Sequence, residues 1–246
     1  MPPSAKLTFY TAIVCPYAQR AAIALKEVGA EYEKVEIDLQ NKPSWYKDIN
    51  PETKVPALTV DKTSIAESLV LVELIHDLFP EKKKRPKLLT LTDCLCRLLP
   101  DDAVKRAQIR FFVEFWATKV SSSQFKLLQT RNNKEARQAT YSEINNALKR
   151  INELLLEQAS EGPYFLGSEY SIADINVAPF VYRFQLLVNT FLKDEGELQY
   201  NEYPRLKQFI EGVVERDSFK ATIAPNELLE SSFNKFIARI EAAAKN

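Results

Sequence analysis

Cys15 is the residue in this chain best placed to do chemistry. It stands in the run Thr11-Ala12-Ile13-Val14-Cys15-Pro16-Tyr17-Ala18-Gln19-Arg20, after the apolar stretch Leu7 to Tyr10 and before the helix-like stretch Ala21 to Val28. A thiol between a strand and a helix start lies near unpaired N–H groups and the positive end of the peptide dipoles. Both lower a cysteine pKa, so the expectation is a thiolate that is reactive at neutral pH. Three positions on stands Ala18, so there is no Cys-x-x-Cys dithiol. A disulfide formed at Cys15 then has to be resolved by a thiol from outside the chain. Pro16 suits a first helical turn, where its missing N–H costs little. Tyr17 and Arg20 read as packing or rim residues.

Few other residues invite a chemical reading. Cys94 and Cys96 are two apart and would point in different directions on a helix, as buried small hydrophobes. Three cysteines and one histidine, His76, make no credible zinc site, so no metal is expected. Glu67 and Ser68 open an amphipathic stretch that runs to Phe79. A hydroxyl and free N–H groups at a helix start can hold a carboxylate, and Glu67 can receive an ammonium. The plainer alternative is Ser68 as an N-cap. In Tyr170-Ser171-Ile172-Ala173-Asp174-Ile175, Ser171 reads as an N-cap with Asp174 at N3, flanked by Tyr170 and Ile175 in the staple positions. That pattern gives Ser171 and Asp174 a folding role.

The elements that position these residues fall into two halves. Residues 1–80 alternate short strands and helices: a strand at Leu7 to Tyr10, a helix over 16–28 closed by Gly29, and a strand from Tyr32 to Ile37. Asn41 to Asn50 reads as a turn or short helix. Ala57 to Val60 and Ser64 to Ala66 flank Asp61-Lys62 as a hairpin, and the Ser68 to Phe79 helix follows. The order β-α-β then β-β-α implies a small mixed sheet covered by helices. Residues 81–88 read as an exposed, charged linker. Residues 89–246 lack strand character, with helical stretches near 89–99, 102–130, 134–159, 171–193, 203–215 and 227–244. Ile144, Leu148, Ile151 and Leu155 mark one buried face. In Phe111-Phe112-Val113-Glu114-Phe115-Trp116, Phe111 pairs with Phe115 and Phe112 with Trp116 on two faces, of which one is a candidate pocket lining.

Composition bounds the function. With 46% hydrophobic residues in 246, the chain can bury a sizeable core. Equal numbers of basic and acidic residues, 33 each, give no electrostatic case for a nucleic-acid or membrane-surface partner. No apolar run is long enough to span a bilayer. An odd, small number of cysteines points to a reducing, cytoplasmic setting.

Four segments, in this order and spacing, make the chain resemble a glutathione transferase, most closely the omega class. They are Cys15-Pro16-Tyr17-Ala18, Asn41-Lys42-Pro43-Ser44-Trp45, Lys54-Val55-Pro56-Ala57-Leu58 and Glu67-Ser68. The run from Phe165-Leu166-Gly167 to Asp174 resembles the capped helix of that family's second domain. The resemblance implies a thioredoxin-like α/β N-terminal domain that binds glutathione and an all-α C-terminal domain that helps to bind a second substrate. It implies that Lys42 meets the glycyl carboxylate of glutathione. A cis Val55-Pro56 bond would offer the Val55 backbone to the cysteinyl unit, with Glu67 and Ser68 at the γ-glutamyl end. Glutathione is then a co-substrate, and the reaction a Cys15 monothiol thioltransferase or dehydroascorbate reductase cycle. Tyr17, Phe111, Phe112, Phe115 and Trp116 are the candidates for the hydrophobic site. The stretch Leu229 to Ile240 resembles the omega C-terminal extension, and a homodimer is implied. A weakly catalytic or non-catalytic carrier of aromatic compounds on the same scaffold is the alternative.

Overall fold

The computed structural model describes residues 5–79, 98–192 and 198–243. The charged segment 81–88, the expected helix start at 89, and Cys94 and Cys96 lie outside the described residues.

The N-terminal part is built on four strands: β1 (Leu7–Thr11), β2 (Glu33–Glu36), β3 (Ala57–Val60) and β4 (Thr63–Ala66). Their order is β2-β1-β3-β4, with β1 and β2 parallel and the other pairs antiparallel. Helix α1 (Pro16–Glu27) makes the parallel crossover from β1 to β2, and Asp61-Lys62 closes the β3–β4 hairpin. This is a thioredoxin-like sheet. Successive side chains of β1 serve opposite faces. Leu7 and Phe9 join Ala21, Ala24 and Leu25 of α1 and Leu71, Val72 and Ile75 of α2 (Ser68–Leu78) in the large core. Tyr10 faces the other way, packing with Ile37, Tyr46 and Val55 in a smaller cluster. That cluster is closed by a 3-10 turn at Ser44–Asp48, where the sequence pattern placed a turn or short helix.

Helix α1 ends because Gly29 takes φ 56°, a left-handed conformation that glycine adopts without penalty. The N–H of Gly29 then bonds Lys26 O at 3.0 Å and that of Ala30 bonds Leu25 O at 2.9 Å, a Schellman closure. The chain is thereby turned back into β2 at the edge of the sheet.

The second part is all helical: α3 (Ala103–Trp116), α4 (Ser122–Thr130), α5 (Lys134–Leu156), α6 (Ile172–Phe191), α7 (Pro204–Glu215), α8 (Asp217–Lys220) and α9 (Asn226–Ala243). Ile144, Leu148, Ile151 and Leu155 form the buried stripe of α5, as their spacing predicts. The expected continuous helix over 102–130 is interrupted by a π-turn at Ala117–Ser121. The hydroxyls of Thr118, Ser122 and Ser123 each bond a carbonyl one turn back, at 2.9, 2.6 and 3.0 Å. Such back-bonding competes with the helix ladder and bends it.

Helix α6 runs through the middle of this part and is buried on most sides. It starts on the anticipated cap. Asp174 Oδ2 accepts from the Ser171 N–H at 2.7 Å and from its hydroxyl at 2.9 Å. Oδ1 accepts from the Phe165 N–H at 2.7 Å, so the same carboxylate also pins the preceding loop. The two parts of the chain are joined by a bidentate ion pair from Arg216 to Glu27, at 2.9 and 2.8 Å.

Asp174 is fully buried, and burial pushes its carboxyl up to about 6 from an ordinary 3.8. Replacing it by alanine strands two backbone N–H groups and is expected to cost about 3 kcal/mol in urea unfolding. A cost below about 1 kcal/mol would contradict this role. The folded carboxyl keeps its proton up to about 6 and the unfolded one only to about 3.8. Its stabilisation is therefore fully present below 3.8 and declines as pH rises through 6. The deficit of Asp174→Asn against wild type should accordingly be largest near pH 4 and shrink by about pH 7.

Candidate active site

Cys15 is the N-cap residue of α1. Its N–H bonds Ala12 O at 2.9 Å and its carbonyl accepts from Gln19 at 3.0 Å, which fixes the strand-to-helix turn. Pro16 fills N1, where no N–H is needed, so the first free amides of the helix belong to Tyr17 and Ala18. The neutral thiol caps neither of them. Those two N–H groups nevertheless lie where they favour a negative sulfur. The thiol proton faces Val55 O across a long 3.9 Å contact.

The pKa expectation needs correction. Burial pushes the Cys15 thiol up, not down. The Ala18 and Tyr17 amides and the guanidinium groups of Arg183 and Arg20 pull the other way without overcoming it. The helix-start argument has the right sign for the amides but omits the desolvation of a sulfur packed against the cluster of Tyr10, Ile37, Tyr46 and Val55.

Cys15 opens into a cavity of about 460 Å³ lined by Tyr17, Lys42, Lys54, Val55, Pro56, Glu67 and Ser68, with Leu39 and Asn50 behind them. The turn after β2, the loop before β3 and the start of α2 thus converge at the end of β1. Every residue that the sequence offered for glutathione binding lines this one cavity. The Val55-Pro56 peptide is cis. Its approach is held by Tyr46 and Asn50, whose hydroxyl and amide both donate to Lys54 O at 2.8 Å. Sequence reading passed over both. Their signal is only the short Ser44–Asp48 turn that brings them under the loop.

Glu67 takes φ 72°, a left-handed conformation unusual for this residue type, and is the N-cap of α2 without a side-chain cap bond. Ser68 therefore stands at N1, and the N-cap alternative for it does not hold. Its hydroxyl accepts from Arg20 Nη1 at 3.2 Å and is buried. Taking that bond on oxygen leaves the hydroxyl proton to be donated into the cavity.

A second cavity, also about 460 Å³, adjoins the first through Tyr17, Glu67 and Ser68. Phe125, Phe180, Ser121 and Arg20 are among its other walls. Tyr17 stacks edge-on with Phe180 at 5.1 Å, and Phe125 meets Phe236 of α9 at 5.0 Å. Of the aromatic candidates for a hydrophobic site, only Tyr17 lines either cavity. Phe112 and Trp116 are core residues, packed with Phe165 and Phe209. Phe111 and Phe115 stack on each other at 6.1 Å, with Phe111 54% exposed, and border neither cavity. The helical period separates the two pairs correctly but places neither at the pocket. His76 is buried in α2 and lines neither cavity. Among the described residues no three His, Cys, Asp or Glu side chains converge as metal ligands. No described helix is long and apolar enough to cross a membrane.

Comparison with known proteins agrees with this fold. Residues 9–83 match the model of the glutathione S-transferase N-terminal domain, and residues 107–222 that of its C-terminal domain. Glutathione S-transferase L3 of Arabidopsis thaliana is 31% identical over 232 residues, which are 93% of this chain and 87% of that protein. The chloroplastic glutathione S-transferase DHAR3 of the same plant is 26% identical, over 87% of this chain and 70% of its own length. Glutathione transferase Omega 1C from Trametes versicolor superposes with a TM-score of 0.77 and is 31% identical, covering 96% of this chain and 98% of its own. With a thioredoxin-like sheet, a helical second domain and both domain models matched, the chain belongs to the glutathione S-transferase family.

Proposed function

We propose that the protein is an omega-like, glutathione-dependent thioltransferase that works through Cys15, with dehydroascorbate reductase activity as a second outlet of the same cycle. One observation carries the reading: the cavity that holds Lys42, Val55, Glu67 and Ser68 has a cysteine, not a tyrosine or serine, at its reacting end. A hydroxyl there would stabilise the thiolate of glutathione and favour conjugation. A cysteine instead forms a disulfide with it.

Glutathione lies with its cysteinyl backbone paired to Val55, its glycyl carboxylate toward Lys42 and its γ-glutamyl end at Ser68 and Glu67. In the first step the Cys15 thiolate attacks the glutathionyl sulfur of a mixed disulfide. A Cys15–glutathione disulfide forms and the partner leaves as its thiolate. In the second step a glutathione thiolate attacks the glutathione sulfur of that disulfide. Oxidised glutathione leaves and the Cys15 thiolate returns, so each cycle consumes one reduced glutathione and the other half of the oxidised product comes from the substrate disulfide. With dehydroascorbate, two molecules of reduced glutathione supply the two electrons and two protons that produce ascorbate, and leave as oxidised glutathione. The adjoining cavity, with Tyr17, Phe125 and Phe180, receives the other half of the disulfide. Its aromatic walls also favour the second reading, a carrier of aromatic compounds, in which the cavity binds and Cys15 does not turn over.

The protein works in the cytoplasm as a homodimer. Val70, Val104 and Phe111 are exposed apolar residues on α2 and α3. Arg110 of α3 and Glu73 of α2 join these helices in a bidentate pair, both bonds 2.8 Å. Exposed apolar side chains on two helices linked in this way suit a second copy of the chain.

Turnover of a glutathionyl mixed disulfide should fall by at least about a hundredfold in Cys15→Ser. Comparable rates in the two proteins would remove the thiol mechanism, and negligible rates in both, with tight retention of an aromatic ligand, would favour the carrier. Because burial holds the thiol pKa up, the single-turnover rate of Cys15 should rise with pH by close to tenfold per unit from about 6 to 8. A rate flat across that range would mean a thiol already ionised. On sizing, the wild type should run as a dimer and Phe111→Asp should shift toward the monomer. A wild-type monomer at micromolar concentration would contradict the assembly.

A further inference from the structure

The second cavity has a cation in its wall. Arg20 of α1 is 4% exposed and lines this cavity, but not the one onto which Cys15 opens. Its Nε donates to Asn176 O at 2.9 Å and its Nη1 to Ser68 Oγ at 3.2 Å. A guanidinium has five N–H donors, so the rest lie on the Nη1–Nη2 edge. Among the described residues Nη2 has no hydrogen-bond partner. Nor is it sealed inside the protein, as the unpaired Nε of Arg183 is. The free edge of Arg20 therefore faces the cavity. Its planar group lies 4.6 Å over the Phe180 ring and 5.3 Å over that of Tyr17, which holds the edge in one orientation.

Both bonded partners of Arg20 are neutral, whereas Arg216 at the same domain boundary has Glu27. Neutral acceptors recover only part of the hydration that a buried guanidinium loses. A carboxylate that reaches the free edge makes two parallel charge-assisted bonds in the geometry that the fork is built for. Glu67 also lines this cavity and has the opposing sign, but it is exposed at the rim shared with the first cavity. Solvent screens its charge there, while Arg20 acts at low dielectric.

The π-turn supplies the facing wall. Ala117 and Ser121, its first and last residues, both line the cavity, followed by Ser122 and Phe125 of α4. Ser121 is 7% exposed and its hydroxyl has no partner. Buried polar groups are almost always paired, so an orphan on a cavity wall points to a partner from outside the chain. Tyr17 and Phe125 leave exposed ring surface at the same place.

We propose that the second cavity is a site for an aromatic carboxylate, with its carboxylate on the free edge of Arg20 and its ring against Tyr17 and Phe125. Arg20 is thereby a specificity-determining residue. For turnover this rests on the reading that the leaving half of a mixed disulfide enters this cavity. The favoured partner is then an aryl thiol bearing a carboxylate, which departs as its thiolate when Cys15 takes the glutathionyl sulfur.

The test reads binding, not turnover, so its failure leaves the thiol cycle standing, and loss of the cycle leaves this site standing. Naphthoate and its neutral isostere naphthamide are titrated calorimetrically into the full chain near pH 7, with S-methylglutathione added in excess to fill the first cavity. Naphthoate should bind at least about tenfold more tightly, with most of the preference kept when salt is raised to about 0.5 M. Arg20→Gln should abolish the preference. Should that variant not fold, Ala117→Leu decides, because its larger side chain fills the cavity and should weaken naphthoate by at least about tenfold. Equal or undetectable binding of the two compounds, or a preference abolished by salt, overturns the proposal. So does displacement of naphthoate by S-methylglutathione, a preference that survives in folded Arg20→Gln, or unchanged binding in Ala117→Leu.

Discussion

The turn from β1 into α1 is the constraint on which the site depends. Cys15 has to stand at the N-cap of the helix and face the cavity while the turn before it is held by α6. Its backbone is tied to Ala12 and Gln19, while the side chain at position 183 holds both Val14 and Gln19 from the other domain. A sheet and a helical bundle that were merely adjacent would leave this turn wet. The cluster of Tyr10, Ile37, Tyr46 and Val55 desolvates the sulfur. The amides of Tyr17 and Ala18 and the guanidinium groups of Arg20 and Arg183 then become part of the electrostatics of one thiol.

The remaining binding residues are placed by backbone irregularities, not by regular structure. A cis peptide at Val55-Pro56 and a left-handed Glu67 direct two loops into the same cavity. Both are braced from behind: Tyr46 and Asn50 hold Lys54 O, and Arg20 holds the Ser68 hydroxyl. A left-handed non-glycine residue such as Glu67, held at a cavity by polar contacts, is a common sign of a functional site. Here it leaves Cys15 close to the Val55 backbone and to a helix start that presents N–H groups.

Much of this was legible in the residues. Two-residue alternation and helical spacing located the strands, α1, α2 and the buried stripe of α5, because burial on one face imposes a period. Ser171 and Asp174 were legible because a cap is a local pattern. Other features are not local. Gln19 and Arg183 are 164 positions apart, and nothing in either segment announces the contact. The desolvation of Cys15 depends on the Tyr10, Ile37, Tyr46 and Val55 cluster assembled from separate strands and loops, so a helix-start argument alone gets the direction of its pKa wrong. Phe111, Phe112, Phe115 and Trp116 show the same limit. Spacing divides them into two faces, but only the tertiary fold makes Phe112 and Trp116 core and leaves the aromatic wall of the second cavity to Phe125 and Phe180. The π-turn at Ala117–Ser121 was foreshadowed by the hydroxyl-rich run Thr118 to Ser123, although hydrophobic periodicity carried the helix straight through it.

The account turns on a covalent intermediate between Cys15 and glutathione. Its most direct test is to incubate the protein with oxidised glutathione, quench with acid and map the adduct by peptide mass spectrometry. A glutathione disulfide on the Cys15 peptide, removed on adding reduced glutathione, is the predicted result. No adduct, or an adduct confined to Cys94 and Cys96, would contradict it.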